Sequence, residues 1–176
     1  NKSTQYPWSF TADGKRLAFI EVSDDESGYN IWTVTIENDE KGLHAGKPEP
    51  FLATLADERH PAISPDGRWL AYASPDAGVF QVYVRTFPDR GRRWKISDSS
   101  GLYPVWSRTK SELFFRTQEN KIMAVSYTVK GEEFIPEPRP RLWSDVQIAN
   151  VGLLRAFDVA PDGKRIAALL PVETKE

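Results

Sequence analysis

Cysteine is absent from the 176 residues, which excludes disulfide stapling and thiol chemistry. That absence fits a reducing cytoplasm and a bacterial periplasm equally well. Histidine is almost as scarce. His44 and His60 are the only two, and with no cysteine they cannot make a zinc site of ordinary spacing, so no metal is expected. No apolar run approaches the ~20 residues of a membrane-crossing helix, and the opening NKSTQYPW has no signal-peptide core. Membrane insertion is therefore not expected. Nor is there an excess of charge of either sign: 23 Lys and Arg stand against 25 Asp and Glu. The total carries no electrostatic footprint for nucleic acid.

Chemical motifs are missing as well. A serine hydrolase needs a G-x-S-x-G elbow and a histidine base, and no such elbow occurs. The glycines stand singly at turns, so no phosphate-cradling loop forms, and no cofactor is expected. SDDESG, residues 23–28, has three successive carboxylates without the alternating ligand order of a calcium loop, and reads as a solvated hairpin tip. Asp24, Glu58 and Asp158 could form a glycosidase pair only if the fold placed two of them at a fixed separation, which the sequence does not do. The densest basic patch, Arg90, Arg92, Arg93 and Lys95 in PDRGRRWKIS, also reads as a solvated turn.

What is present is a β composition: six Trp, six Tyr and nine Phe, with thirteen Pro and eleven Gly to punctuate the strands. It is organised as a repeat. ISPDGRWLAY at 63–72 has counterparts in FTADGKRLAF at 10–19, VAPDGKRIAA at 159–168 and a degraded WSRTKSELFF at 106–115. Aligned on the turn, Asp13, Asp66, Thr109 and Asp162 share a column, with separations of 53, 43 and 53 residues. This is the period of a propeller blade. Around each turn a short strand enters and an apolar strand leaves. In three copies a strand of period-two alternation follows (YNIWTVTI, FQVYVRTF, KIMAVSYTV), then a weaker fourth (EPFLAT, RWKIS, PRLWS).

The expected fold is all-β: a β-propeller of four-stranded antiparallel blades, three complete and one inner half-blade. The blades run over about 6–55, 58–98 and 101–144, with the half-blade at about 154–171. Such an array is expected to be the C-terminal part of a larger propeller, and its free strand edges invite self-association with a second copy. Asp66 is assigned to the turn. Pro65 pre-sets φ, Asp66 can accept from backbone amides, and Gly67 takes the positive φ that closes the hairpin. The third copy has neither Pro nor Gly, so a longer or looser turn is expected there.

The repeated SPDG-[RK]-x-[LI]-A-[FY], followed by an [IV]-[WY]-V strand, resembles the TolB-type, WD40-like (PD40) propeller repeat. The run VYVRTFPDRGRRWKIS, PVWSRTKSELFF, IMAVSYTV, PRLW and FDVAPDGKRIA is similar to the C-terminal propellers of bacterial multidomain proteins, where a serine/threonine kinase or DNA-binding domain often precedes. The resemblance covers residues 6–170. It implies a non-catalytic protein-interaction or sensor module, a protein or peptide partner, and a periplasmic or otherwise extracytoplasmic place. Similar repeats form the cap of prolyl-oligopeptidase-type serine peptidases, the enzyme alternative, whose catalytic domain would lie elsewhere.

The alignment also nominates a site. Residues just before the inner strand lie at one mouth of a propeller channel. In these copies they are Tyr6-Pro7, Arg59-His60, Leu102-Tyr103 and Arg155-Ala156. Arg59, His60, Tyr103 and Arg155 are thus expected to ring one face, a cationic and aromatic mouth suited to a carboxylate or an acidic peptide.

Overall fold

Sixteen strands and no helix make up the described part of the chain, residues 3–22, 28–40 and 42–172 of a computed structural model. Residues 23–27 of the SDDESG tip, Asp24 among them, lie outside the described residues. The first blade is β1 (Gln5–Phe10), β2 (Arg16–Val22), β3 (Tyr29–Asp39) and β5 (Glu49–Leu52), antiparallel throughout. The second is β6 (Arg59–Ile63), β7 (Trp69–Asp76), β8 (Val79–Thr86) and β9 (Arg93–Lys95). The third is β10 (Leu102–Trp106), β11 (Glu112–Arg116), β12 (Ile122–Lys130) and β14 (Arg141–Ser144). A final pair, β15 (Phe157–Val159) and β16 (Ile166–Ala168), forms the last sheet.

Two further strands extend the odd-numbered blades. β4 (Gly42–Ala45) pairs with the far half of β3, and β13 (Glu133–Pro136) with the far half of β12, so each long strand serves two partners. The second blade has no such hairpin.

Successive sheets bury their facing surfaces against one another, as stacked blades do. Between the first and second, Ile63, Leu70 and Tyr72 meet the small and branched face of Ala18, Ile20 and Ile31. Between the second and third, Trp106, Leu113 and Phe115 meet Ala71, Val82 and Val84. In the third seam Val159 and Phe157 pack with Phe114 and Ala124. Neighbouring inner strands are not laddered together and are tied by side chains instead. Ser9 Oγ accepts from the Ile63 amide at 3.0 Å, and the Trp106 indole N–H donates to Ala62 O at 2.8 Å.

The repeated turn is held as its residues dictate. Ser64 Oγ donates to Asp66 Oδ1 at 2.5 Å, the Arg68 amide donates to the same oxygen at 3.2 Å, and Gly67 has φ +70°. Thr11, Asp13 and Gly14 repeat this, and Asp162 and Gly163 repeat its core. The third turn is not longer. Residues 107–111 connect β10 to β11 as 64–68 connect β6 to β7. It manages without Asp or Gly because Ser107 Oγ accepts the Lys110 amide at 3.1 Å.

Candidate functional site

Just after each inner strand begins, the second and third blades carry a bulge, with a register shift between Arg59 and Ala62 and between Leu102 and Val105. His60 and Tyr103 sit in these bulges with φ of 55° and 54°. This left-handed conformation is uncommon for residues other than glycine; His adopts it more readily than Tyr. The bulge re-aims both rings at neighbouring blades. His60 stacks on Tyr103 with centroids 3.8 Å apart and planes at 26°, and Trp8 of the first blade lies 5.1 Å from His60 on a tilted plane. The Arg116 guanidinium carbon covers the Tyr103 ring at 4.6 Å. Trp8, His60, Tyr103 and Arg116 thus form one stack across three blades. Tyr103 also donates its hydroxyl to Gly152 O, which ties in the segment before β15.

This differs from an open ring. His60 is 1 % exposed and Tyr103 is buried too, because the bulge turns them along the array and not toward the solvent. Burial, reinforced by the positive charges of Arg59 and Arg116, holds the His60 imidazole well below its ordinary pKa. Arg59 is committed elsewhere. Its guanidinium pairs with the Asp57 carboxylate, Nε to Oδ1 at 2.8 Å, and lies between the rings of Tyr29 (4.8 Å) and Phe80 (5.0 Å). It therefore pins the first blade to the second. Neighbouring Glu58 is buried. Burial raises its carboxyl above the ordinary value although Thr54 Oγ1 donates to it at 2.6 Å.

Arg155 stands apart from these three, in a cleft of ≈ 560 Å³ along the inner strands. Ala62, Ile63, Val105 and Trp106 give this cleft an apolar wall, with Trp8 and Phe10 on one side. Its charged groups are Arg108, Arg155 and Asp158. Arg155 reaches Asp158 at 3.4 Å, whereas Arg108 has no ion-pair partner among the described residues. The balance is one guanidinium in excess over an apolar surface, suited to an extended segment bearing a carboxylate.

Two arginines escaped the sequence reading. Arg108 hides in the degraded turn, where the alignment drew attention to missing Asp and Gly residues. Arg116 stands in the column of Ile20 and Ala73, both fully buried, and is itself buried. A cation in a column that is apolar in other blades was the available signal. Three of the four side chains of the basic patch in PDRGRRWKIS are engaged: Lys95 meets Asp76 at 3.0 Å, Arg93 covers the Tyr83 ring at 4.5 Å, and Arg92 lies 3.9 Å from Glu133. Among the described residues, no group of three or more His, Cys, Asp or Glu is placed to hold a metal ion.

No family model matches the sequence, and no curated protein matches it. Solved structures do. The chain is similar to a protein described as TolB from Agrobacterium tumefaciens, with a TM-score of 0.58 and 18% identity, over 77% of this chain and 50% of that one. It is similar also to TolB from Acinetobacter baumannii, with a TM-score of 0.58 and 14% identity, over 98% of this chain and 39% of that one. The fold is that of a TolB-like β-propeller. The chain spans half or less of the length of these two structures.

Proposed function

We propose that this TolB-like propeller segment is a non-catalytic protein-interaction or sensor module, part of a larger protein, that holds an extended segment of a protein partner in the inner-strand cleft. The observation that carries the reading is Arg108: a guanidinium without an ion-pair partner among the described residues, lining a ≈ 560 Å³ cleft with an apolar wall. A carboxylate of the partner would pair with Arg108 and compete with Asp158 for Arg155. An apolar side chain of the partner would lie against Ile63 and Trp106. Arg59, His60 and Tyr103 act here as positioning residues, since their contacts fix the blades that form the wall.

Rigid presentation suits this task, because the cleft is built on strands and turns held by side-chain ties and needs little rearrangement to bind. The test is a selection of random phage-displayed peptides on the immobilised chain, followed by titration calorimetry of the enriched sequences. Acidic peptides with an apolar residue are expected, and Arg108→Ala and Arg155→Ala should each weaken them about tenfold, the worth of one charge-assisted hydrogen bond. Enrichment without acidic residues, or variants that bind the selected peptides as tightly as the parent does, overturns the reading.

A further inference from the structure

The inner strands β1, β6, β10 and β15 do not offer the cleft the same main chain. In each, the amide just past the strand donates across the repeated turn: Thr11 to Arg16 O, Ser64 to Trp69 O, Ser107 to Glu112 O and Ala160 to Arg165 O. These bonds set the phase of the antiparallel ladder, in which hydrogen-bonded and non-hydrogen-bonded pairs alternate. Phe10, Ile63, Trp106 and Val159 therefore stand in non-hydrogen-bonded pairs with the strand behind them. Their N–H and C=O groups point the other way, along the cleft that these residues line.

Three of these edges are blunted. Pro7, Pro61 and Pro104 each remove a donor from β1, β6 and β10, as edge prolines do. In β6 the Ile63 amide is also taken by Ser9 Oγ at 3.0 Å. β15 has neither device. The Leu169 amide donates to Ala156 O, so Phe157 too stands in a non-hydrogen-bonded pair, and the intervening Asp158 makes the ladder bonds to Ala167. The N–H and C=O groups of both Phe157 and Val159 are thus left on the open edge, without a partner among the described residues. Their side chains are buried in the third seam, which holds this edge still. The edge also runs beside the cationic groups of the cleft, since Val159 lines it together with Arg108 and Arg155.

We propose that the partner's segment is taken by strand addition: it pairs with the inner edge of β15 through the main chain of Phe157 and Val159, while its carboxylate meets Arg108 and Arg155. This rests on the cleft reading above and names how the partner is recognised. The partner is an extended stretch without proline at its pairing positions, held by its backbone, with one acidic residue to fix the register.

The test is an ester scan of a selected acidic peptide. Each backbone N–H in turn is replaced by an ester oxygen, and binding to the 176-residue chain is measured by titration calorimetry. Two positions, two residues apart, should each weaken binding about fivefold, the net worth of one hydrogen bond, while the position between them changes little. Val159→Pro removes an edge donor and no ladder bond, and should weaken the unmodified peptide by a similar factor; where that variant does not fold, the ester scan alone decides. A flat scan in a peptide that still needs Arg108 and Arg155 overturns strand addition and leaves the cleft reading standing. Peptides indifferent to both arginines overturn the two together. A dimer of the chain with the Phe157 and Val159 amides protected from exchange before any peptide is added also overturns the proposal, since the edge then belongs to a second copy.

Discussion

Asp66 and His60 show how differently two residues of one repeat are used. Asp66 closes a turn through the Ser64 hydroxyl and the Arg68 amide, contacts made entirely within the loop. Asp66→Ala should therefore lower unfolding free energy by about 1 kcal/mol, as loss of a comparable cap does, and leave peptide affinity unchanged. Urea denaturation beside calorimetry checks both halves. His60 should register in the pH dependence of stability. Its folded pKa is depressed, by burial first and then by Arg59 and Arg116. Below about pH 6.5 the unfolded chain binds a proton that the native imidazole refuses, so stability falls as pH drops, by at most about 1.4 kcal/mol per unit. Glu58 acts in the opposite sense: its raised folded pKa adds stability that is fully present below its unfolded value and is lost as pH rises through the folded one. His60→Asn tolerates the left-handed backbone and leaves Glu58 in place. Urea titrations between about pH 7 and pH 5 should give the variant a stability less diminished by acid than the parent's. An identical slope would mean that His60 titrates normally.

At the scale of elements, much was written in the sequence and some was not. Alternation in YNIWTVTI and FQVYVRTF, with the SPDG turns, marked the four strands of each complete blade, since period two and a positive-φ glycine are local properties. β4 and β13 were missed for a physical reason. GLHA and EFIP are short, polar or proline-edged, and become strands only because β3 and β12 overrun their blades and offer a free edge. The site was half legible. The alignment brought His60 and Tyr103 into one column, and they do touch, but it gave no hint of the left-handed bulge that turns them inward. The β12–β13 clasp makes its own prediction. Phe134 fills the seam among Trp69, Trp94 and Tyr127, so Phe134→Ala should cost about 3–5 kcal/mol, and Phe134→Leu clearly less. Denaturant midpoints of the two variants rank them. The converse would place the hairpin's weight elsewhere.

Across the whole molecule, the blades are held by three separate apolar seams and by ties between inner strands, so the cleft is a property of the array and not of any one blade. Each inner strand contributes a wall, and the two arginines come from the third and last sheets, far apart in sequence from Ile63. Such a surface can recognise a partner through shape and one or two charges while its own backbone stays still. The most direct test is a hydrogen-exchange footprint of the 176-residue chain with a selected acidic peptide bound. Binding in the cleft predicts new protection in residues 8–12, 62–65, 105–108 and 155–159, reduced in Arg155→Ala at the same peptide concentration. Protection confined to the outer strands, or a footprint indifferent to Arg155, would contradict it.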